Sequence, residues 1–163
     1  MAKINAKKKG NRGELECSKI FNERFNTKEF KRTPGSGMYF GGKNREINET
    51  LSQSVKETLV SDIMTPLNFK FAIEHKSYNE MNFWDLFNPS SNLNSWVDQV
   101  SNDAEFVEKL PLLIMKFNQK KRIAMITIEP KSYQFIWLDQ KGQKWYCEWL
   151  EKLLEEENNF WFG

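Results

Sequence analysis

Leu59-Val60-Ser61-Asp62-Ile63-Met64 and Phe69-Lys70-Phe71-Ala72-Ile73-Glu74-His75-Lys76 are two apolar runs separated by Thr65-Pro66-Leu67-Asn68. The runs read as strands, and the link between them is short and turn-rich enough for a hairpin. An acid is embedded in the first, Asp62, and another ends the second, Glu74. A carboxylate in a strand that should be hydrophobic is costly unless it holds something, and two hard oxygen ligands on adjacent strands suit a magnesium-like cation. Side chains alternate along the second strand, so Ala72, Glu74 and Lys76 share one face while Phe71, Ile73 and His75 share the other.

Those residue types fit metal-dependent phosphodiester cleavage. The reaction needs a metal that polarises the phosphoryl oxygen and lowers the pKa of a bound water, which Asp62 and Glu74 can ligate together with the backbone carbonyl of His75. Lys76, on the face of Glu74, can orient the attacking water or stabilise charge developing on phosphorus. The competing reading makes Asp62 a turn cap, Glu74 and Lys76 a surface ion pair and Glu14 an exposed helix residue.

An acid two places before a lysine occurs four times, at Glu29, Glu74, Glu129 and Asp139. Only Glu74-His75-Lys76 ends a clear strand that follows, across a hairpin, another strand with an embedded acid. Pro130 interrupts the third candidate, and Gly142 places the fourth in a turn.

Upstream, residues 12 to 26 read as a helix because Cys17, Ile20, Phe21 and Phe25 recur at three- and four-residue steps. Glu14 extends that buried stripe, whereas Glu16, rotated roughly 200° from it, should face water. Glu14 can therefore complete the metal shell, directly or through water. A short strand is expected within 28 to 33, ended by the loop Pro34-Gly35-Ser36-Gly37, and residues 38 to 57 form a polar insertion with a short helix over 46 to 57.

Downstream, residues 77 to 93 read as loop, and Trp96, Val97, Val100, Phe106 and Val107 mark a second helix that ends before Pro111. Leu110 to Phe117 is nearly continuous apolar sequence, as in a central strand covered on both faces. Strands follow at 123 to 128 and 135 to 138, and Trp145, Trp149, Leu150, Leu153 and Leu154 are spaced as a closing helix. This order predicts an α/β chain with a mixed central sheet flanked by helices. One domain is expected over 1 to 163, with a basic leader at 1 to 11.

Composition narrows the chemistry. At 163 residues and 39% apolar content the chain fits one core. The net charge is only +2, yet Lys3, Lys7, Lys8, Lys9 and Arg12 cluster at the start, and Glu151, Glu155, Glu156 and Glu157 near the end. Lys7, Lys8, Lys9 and Arg12 can neutralise backbone phosphates. The two cysteines, Cys17 and Cys147, form no framework or pair motif, and no secretion signal or membrane-length apolar run is expected, which points to the cytoplasm of a bacterial, archaeal or virus-infected cell. With a single histidine, His75, a Cys/His zinc site or a histidine-based triad would have to use that residue. Trp96, Trp137, Trp145, Trp149 and Trp161 read as core or dimer contacts. Phe83 and Trp84, in the loop, are the better candidates for stacking on bases. Gln99, on the helix after the motif, can reach the catalytic face.

In order along the chain, Lys8-Lys9-Gly10-Asn11-Arg12-Gly13-Glu14, Lys31-Arg32-Thr33-Pro34-Gly35-Ser36-Gly37, Ser61-Asp62-Ile63, Ile73-Glu74-His75-Lys76 and Leu113-Ile114-Met115-Lys116-Phe117 resemble the archaeal-type Holliday junction resolvases of the PD-(D/E)xK nuclease superfamily. The resemblance covers most of residues 8 to 117 and implies a restriction-endonuclease-like fold. Glu14, Asp62, Glu74 and Lys76 match the family's catalytic set, and Arg32 with Ser36 match its arginine and small-residue loop that contact DNA or support catalysis. What it implies further is a homodimer that grips branched DNA, a four-way junction, and nicks two strands of like polarity with Mg2+, for which Mn2+ can substitute. The chain departs from the family at Leu15, where an arginine is usual, and in the length between Gly37 and Ser61. Two other readings are a less selective nuclease of the superfamily, restriction-like or single-strand-specific, and a DNA-binding or assembly module with an inactive site.

Overall fold

The computed structural model of the chain describes residues 6–34, 55–56 and 61–163. Ser36, the loop after Pro34, nearly all of the polar insertion, and Leu59 and Val60 lie outside the described residues, as do the side chains of Ala6 and Lys7.

Strands β1 (Lys31–Arg32), β2 (Ile63–Met64), β3 (Phe71–Tyr78), β4 (Leu110–Phe117), β5 (Arg122–Ile126), β6 (Phe135–Leu138) and β7 (Lys144–Trp149) form one seven-stranded sheet in the order β1-β2-β3-β4-β5-β7-β6. The β3–β4 pair alone is parallel. Parallel neighbours need a crossover, and α2 (Asn92–Phe106) supplies it. The sheet is mixed and flanked by helices, as its apolar patterning predicts.

Two cores lie on the two faces. On one, α1 (Ala6–Phe25) places Cys17 and Phe21 against Phe71, Ile73, Leu112 and Ile114. On the other, Trp96, Val97 and Val100 of α2 meet Leu113, Met115, Met125, Trp145 and Cys147. The period-two alternation of β3 thus sends Ile73 and His75 toward α1, and Ala72 and Glu74 toward α2. Two short C-terminal helices, α3 (Leu150–Leu153) and α4 (Asn158–Trp161), close the α1 side. There Trp161 stacks on Phe69 at 5.8 Å, and the Lys70 N–H donates to the Trp161 carbonyl at 2.8 Å, tying the chain end to the β2–β3 hairpin.

The structure corrects three sequence expectations. The first helix begins at Ala6 rather than near residue 12, so Lys8 and Lys9 ride on it and do not belong to a leader. Gly10 and Gly13 weaken the helical signal there, but packing outweighs propensity. β3 continues to Tyr78, past the expected loop start at 77. Residues 144 to 149 are a strand, not the first turn of a closing helix, which is confined to Leu150–Leu153. The turn before it decides the outcome: Gly142 sits at φ 79°, and the Asp139 carboxylate accepts from the Lys141 and Gln143 N–H groups, folding β6 and β7 into a hairpin. Trp145 and Cys147 then share a face by strand period, and Tyr146 takes the other.

Candidate active site

Glu74 is 1% exposed on the α2 face of β3. Its Oε1 accepts from Lys76 Nζ at 2.5 Å and from Gln99 Nε2 at 2.7 Å, while Lys76 Nζ also donates to Gln99 Oε1 at 2.8 Å. The three side chains form a closed triangle between β3 and α2. Gln99, on the helix after the motif, therefore reaches Glu74 and Lys76. The competing reading of Glu74 and Lys76 as a surface ion pair does not hold, because the acid is buried.

Asp62 lies just before β2 and is held from three sides. Its N–H donates to the Ile73 carbonyl at 3.1 Å, its carbonyl accepts from the Thr33 N–H at 2.9 Å, and its Oδ2 accepts from the His75 N–H at 2.9 Å. Ser61 before it adopts φ 72°, a left-handed conformation that costs a non-glycine residue on the order of 1 kcal/mol. That strain sits one residue from a buried carboxylate. On an extended strand a residue's N–H and C=O point to the same edge, so the His75 carbonyl opens toward Asp62.

Glu14 is on the buried stripe of α1, as expected, and its Oε2 accepts from Arg32 Nε at 2.6 Å. Arg32 also donates to Asn11 Oδ1 at 2.8 Å, so in this structure it braces Glu14. Glu16 is half-exposed and pairs with Arg12 and Arg122.

The electrostatics centre on Asp62. Burial, and then the Asp62 charge, push the Glu74 carboxyl well above the usual carboxylate range against the pull of Lys76. Glu14 is raised by burial and by Asp62, with Arg32 and Lys76 opposing. Asp103, one turn beyond Gln99 on α2, is raised to about 6 by burial and then Asp62. Burial works against the charge of Lys76, but the neighbouring Glu74 outweighs it and its ammonium is held above the ordinary lysine value. Glu14, Glu74 and Asp103 thus each feel the charge of Asp62, with Lys76 and Arg32 as the opposing cations. The sequence reading missed Asp103; its four-residue spacing from Gln99 was the available signal.

Among the described residues no group of three or more acidic, histidine or cysteine side chains converges closely enough to hold a metal ion. Glu14 is drawn to Arg32 and Glu74 to Lys76, so the three acids of the expected shell do not meet at one point. The donor set nonetheless suits a hard cation. Asp62, Glu74 and the His75 carbonyl offer oxygens only, the uncompensated acid charge favours a cation, and Mg2+ is ordinarily bound through one or two carboxylates with water completing its octahedron.

Lys8, Lys9 and Arg12 lie outside the carboxylate pocket, along an adjoining groove. Trp96, Trp137, Trp145 and Trp161 are buried core residues, and Trp149 is half-buried. Phe83 and Trp84 stand exposed on a 3-10 turn, Phe83–Leu86, and Phe87 is exposed just after it. Cys17 and Cys147 are buried, their thiols pushed up to about 12 by burial.

Residues 5–158 match the family model described as "Phage putative PDDEXK endonuclease". The chain belongs to this family. Membership puts it in the PD-(D/E)xK superfamily of nucleases. The family is a phage one and not that of the archaeal-type junction resolvases. No curated protein and no solved structure matches the chain. Among the described residues no helix is long and apolar enough to cross a membrane.

Proposed function

We propose that this PD-(D/E)xK chain is a Mg2+-dependent, structure-selective DNA endonuclease that nicks four-way junctions as a homodimer, with Glu14, Asp62, Glu74 and Lys76 as its catalytic set. The observation that carries the reading is the Glu74–Lys76–Gln99 triangle beside Asp62, in which a buried carboxylate is joined to a half-buried lysine and an exposed glutamine, so that a charged amine and an excess of acidic groups stand at one place in the sheet. Branched DNA as the substrate, and the dimer, rest on the order of motifs shared with junction resolvases.

Asp62, Glu74 and the His75 carbonyl would hold the cation, with Glu14 reaching it directly or through water. The metal would supply Lewis-acid polarisation of the phosphoryl oxygen and a water of lowered pKa. The chain's own residues do the positioning. The His75 N–H fixes one Asp62 oxygen and so aims the other. Gln99 holds the Lys76 ammonium in place, from which it can donate to the attacking water or to a phosphoryl oxygen. Arg32 fixes the Glu14 carboxyl and opposes the upward push that burial and Asp62 exert on it.

Membership of a phage endonuclease family favours one second reading, a nuclease less selective for junctions. A single assay separates them: a mobile four-way junction, linear duplex and single strands, each with Mg2+ and with chelator. Paired junction nicks that vanish with chelator are expected, and equal cutting of linear DNA selects the second reading. Cleavage that survives in both Glu74→Ala and Lys76→Ala would sink the site assignment. Absence of metal binding by calorimetry in the wild type would point to a DNA-binding module without catalysis.

A further inference from the structure

A groove of about 420 Å3 opens between the N-terminal half of α1 and the C-terminal ends of β3 and β4. Lys8, Lys9, Arg12 and Lys116 line it against one carboxylate, Glu16, which is already shared between Arg12 at 2.9 Å and Arg122 at 3.0 Å. Lys9 Nζ donates to Asn79 Oδ1 at 2.7 Å and to Asn118 Oδ1 at 2.8 Å. Both acceptors are neutral, so the ammonium is fixed in place without being neutralised. Lys116 Nζ is likewise held by a neutral acceptor, the Lys120 carbonyl. The turn that provides it carries Lys120 and Lys121 and leads into Arg122, paired with Lys116 across the sheet.

Fixed cations crowded together repel one another, and an anion relieves that repulsion. The place of the groove says which anion. Gly13 and Ser77, which line it, are the chain neighbours of Glu14 and Lys76. By strand parity Ser77 points to the α1 face, while Lys76 points to the α2 face. The groove therefore lies one residue along α1 from Glu14 and one residue along β3 from Lys76, on the α1 side of the sheet.

We propose that this groove is the track for the sugar-phosphate backbone flanking the scissile phosphate, with Lys9 and Lys116 as its two fixed phosphate contacts and the Lys120-Lys121 turn as its outer wall. The proposal rests on the nuclease reading for its orientation, but the anion site stands on the groove itself. Lys116 and the 120 to 122 run become contacts only through the fold, since they lie about a hundred residues from Lys9 in sequence.

The test measures affinity of the full chain in chelator for labelled single-stranded and duplex oligonucleotides as a function of salt, with Mg2+-dependent cleavage followed in parallel. Lys9→Gln and Lys116→Gln should each reduce the magnitude of the salt slope by about 1, and the pair by about 2, while Lys116→Arg keeps the wild-type slope. Unfolding curves confirm that the variants remain folded. Wild-type slopes in both glutamine variants on both DNAs overturn the proposal. So does competition by inorganic phosphate that is lost in Lys9→Gln without any change in DNA slope, which would make the groove a free-phosphate site. Unchanged slopes with normal cleavage sink the groove and leave the nuclease; lowered slopes in a protein that cuts no DNA sink the nuclease and leave the groove.

Discussion

Gly13 lies directly against the ring of His75: a Cβ at Gly13 would stand 2.5 Å from His75 Cε1 and 3.2 Å from Nδ1. The contact sets how closely α1, which carries Glu14, approaches β3, which carries Glu74. In a solvent-exposed helix Gly→Ala gains roughly 1 kcal/mol. Here Gly13→Ala should instead destabilise by roughly 1–3 kcal/mol, the usual cost of overpacking, and depress cleavage by displacing Glu14. Urea unfolding checks the sign. In a His75→Ala background the penalty should vanish, and a double-mutant cycle showing no coupling would break the link.

The imidazole of His75 is buried with neither nitrogen hydrogen-bonded among the described residues, and burial together with the nearby Arg122 charge lowers its pKa from about 6.5 to about 4. The folded state therefore favours neutral His75, and the unfolded chain takes up the proton first. Stability from this group is complete above pH 6.5 and is lost as the pH falls from 6.5 toward 4, by roughly 3 kcal/mol at most. Denaturant unfolding in chelator between pH 7.5 and 4 measures it. The difference between wild type and His75→Gln isolates His75 from the acids, and a pH-independent difference would refute the assignment.

Trp161, fully buried near the chain end, packs against Phe69 at 5.8 Å and Phe25 at 5.8 Å. Trp161→Ala should cost roughly 3–5 kcal/mol by opening a cavity under the β2–β3 hairpin. Because that hairpin positions Asp62, cleavage should fall together with stability, and a variant with full stability would show that the chain end does not close this core.

The site was legible in the sequence where its logic is local. A period of two along β3 is enough to put Glu74 with Lys76 and away from His75, and a period of 3.6 along α1 is enough to bury Glu14. What was not legible depends on residues far apart meeting. No spacing rule pairs Arg32 with Glu14 or brings Lys116 beside Lys9. Trp145, Trp149 and Leu153 were misread as one helix because a strand running into a short helix reproduces four-residue spacing. The hairpin chemistry of Asp139 and Gly142 settles the matter, since the turn it forms makes the following residues a returning strand.

Glu74 is buried and repelled by Asp62, which push its carboxyl well above the usual range, with Lys76 as its only cationic hydrogen-bond partner among the described residues. Glu74→Gln removes that repulsion while keeping an oxygen that Lys76 and Gln99 can donate to. Stability without metal should rise by roughly 1 kcal/mol, the gain commonly seen when a functional charge is neutralised. Cleavage should fall by at least about 100-fold, since one carboxylate of the cation site is gone. Lys76→Ala breaks the same triangle from the other side and leaves Glu74 buried without its cation, so stability should drop while cleavage is again lost. Opposite signs in the two unfolding curves, with the same loss of cleavage, are the expected pair of results. Loss of stability in both variants would mean that the triangle is structural in purpose and that the carboxylate excess is not a binding site held in reserve.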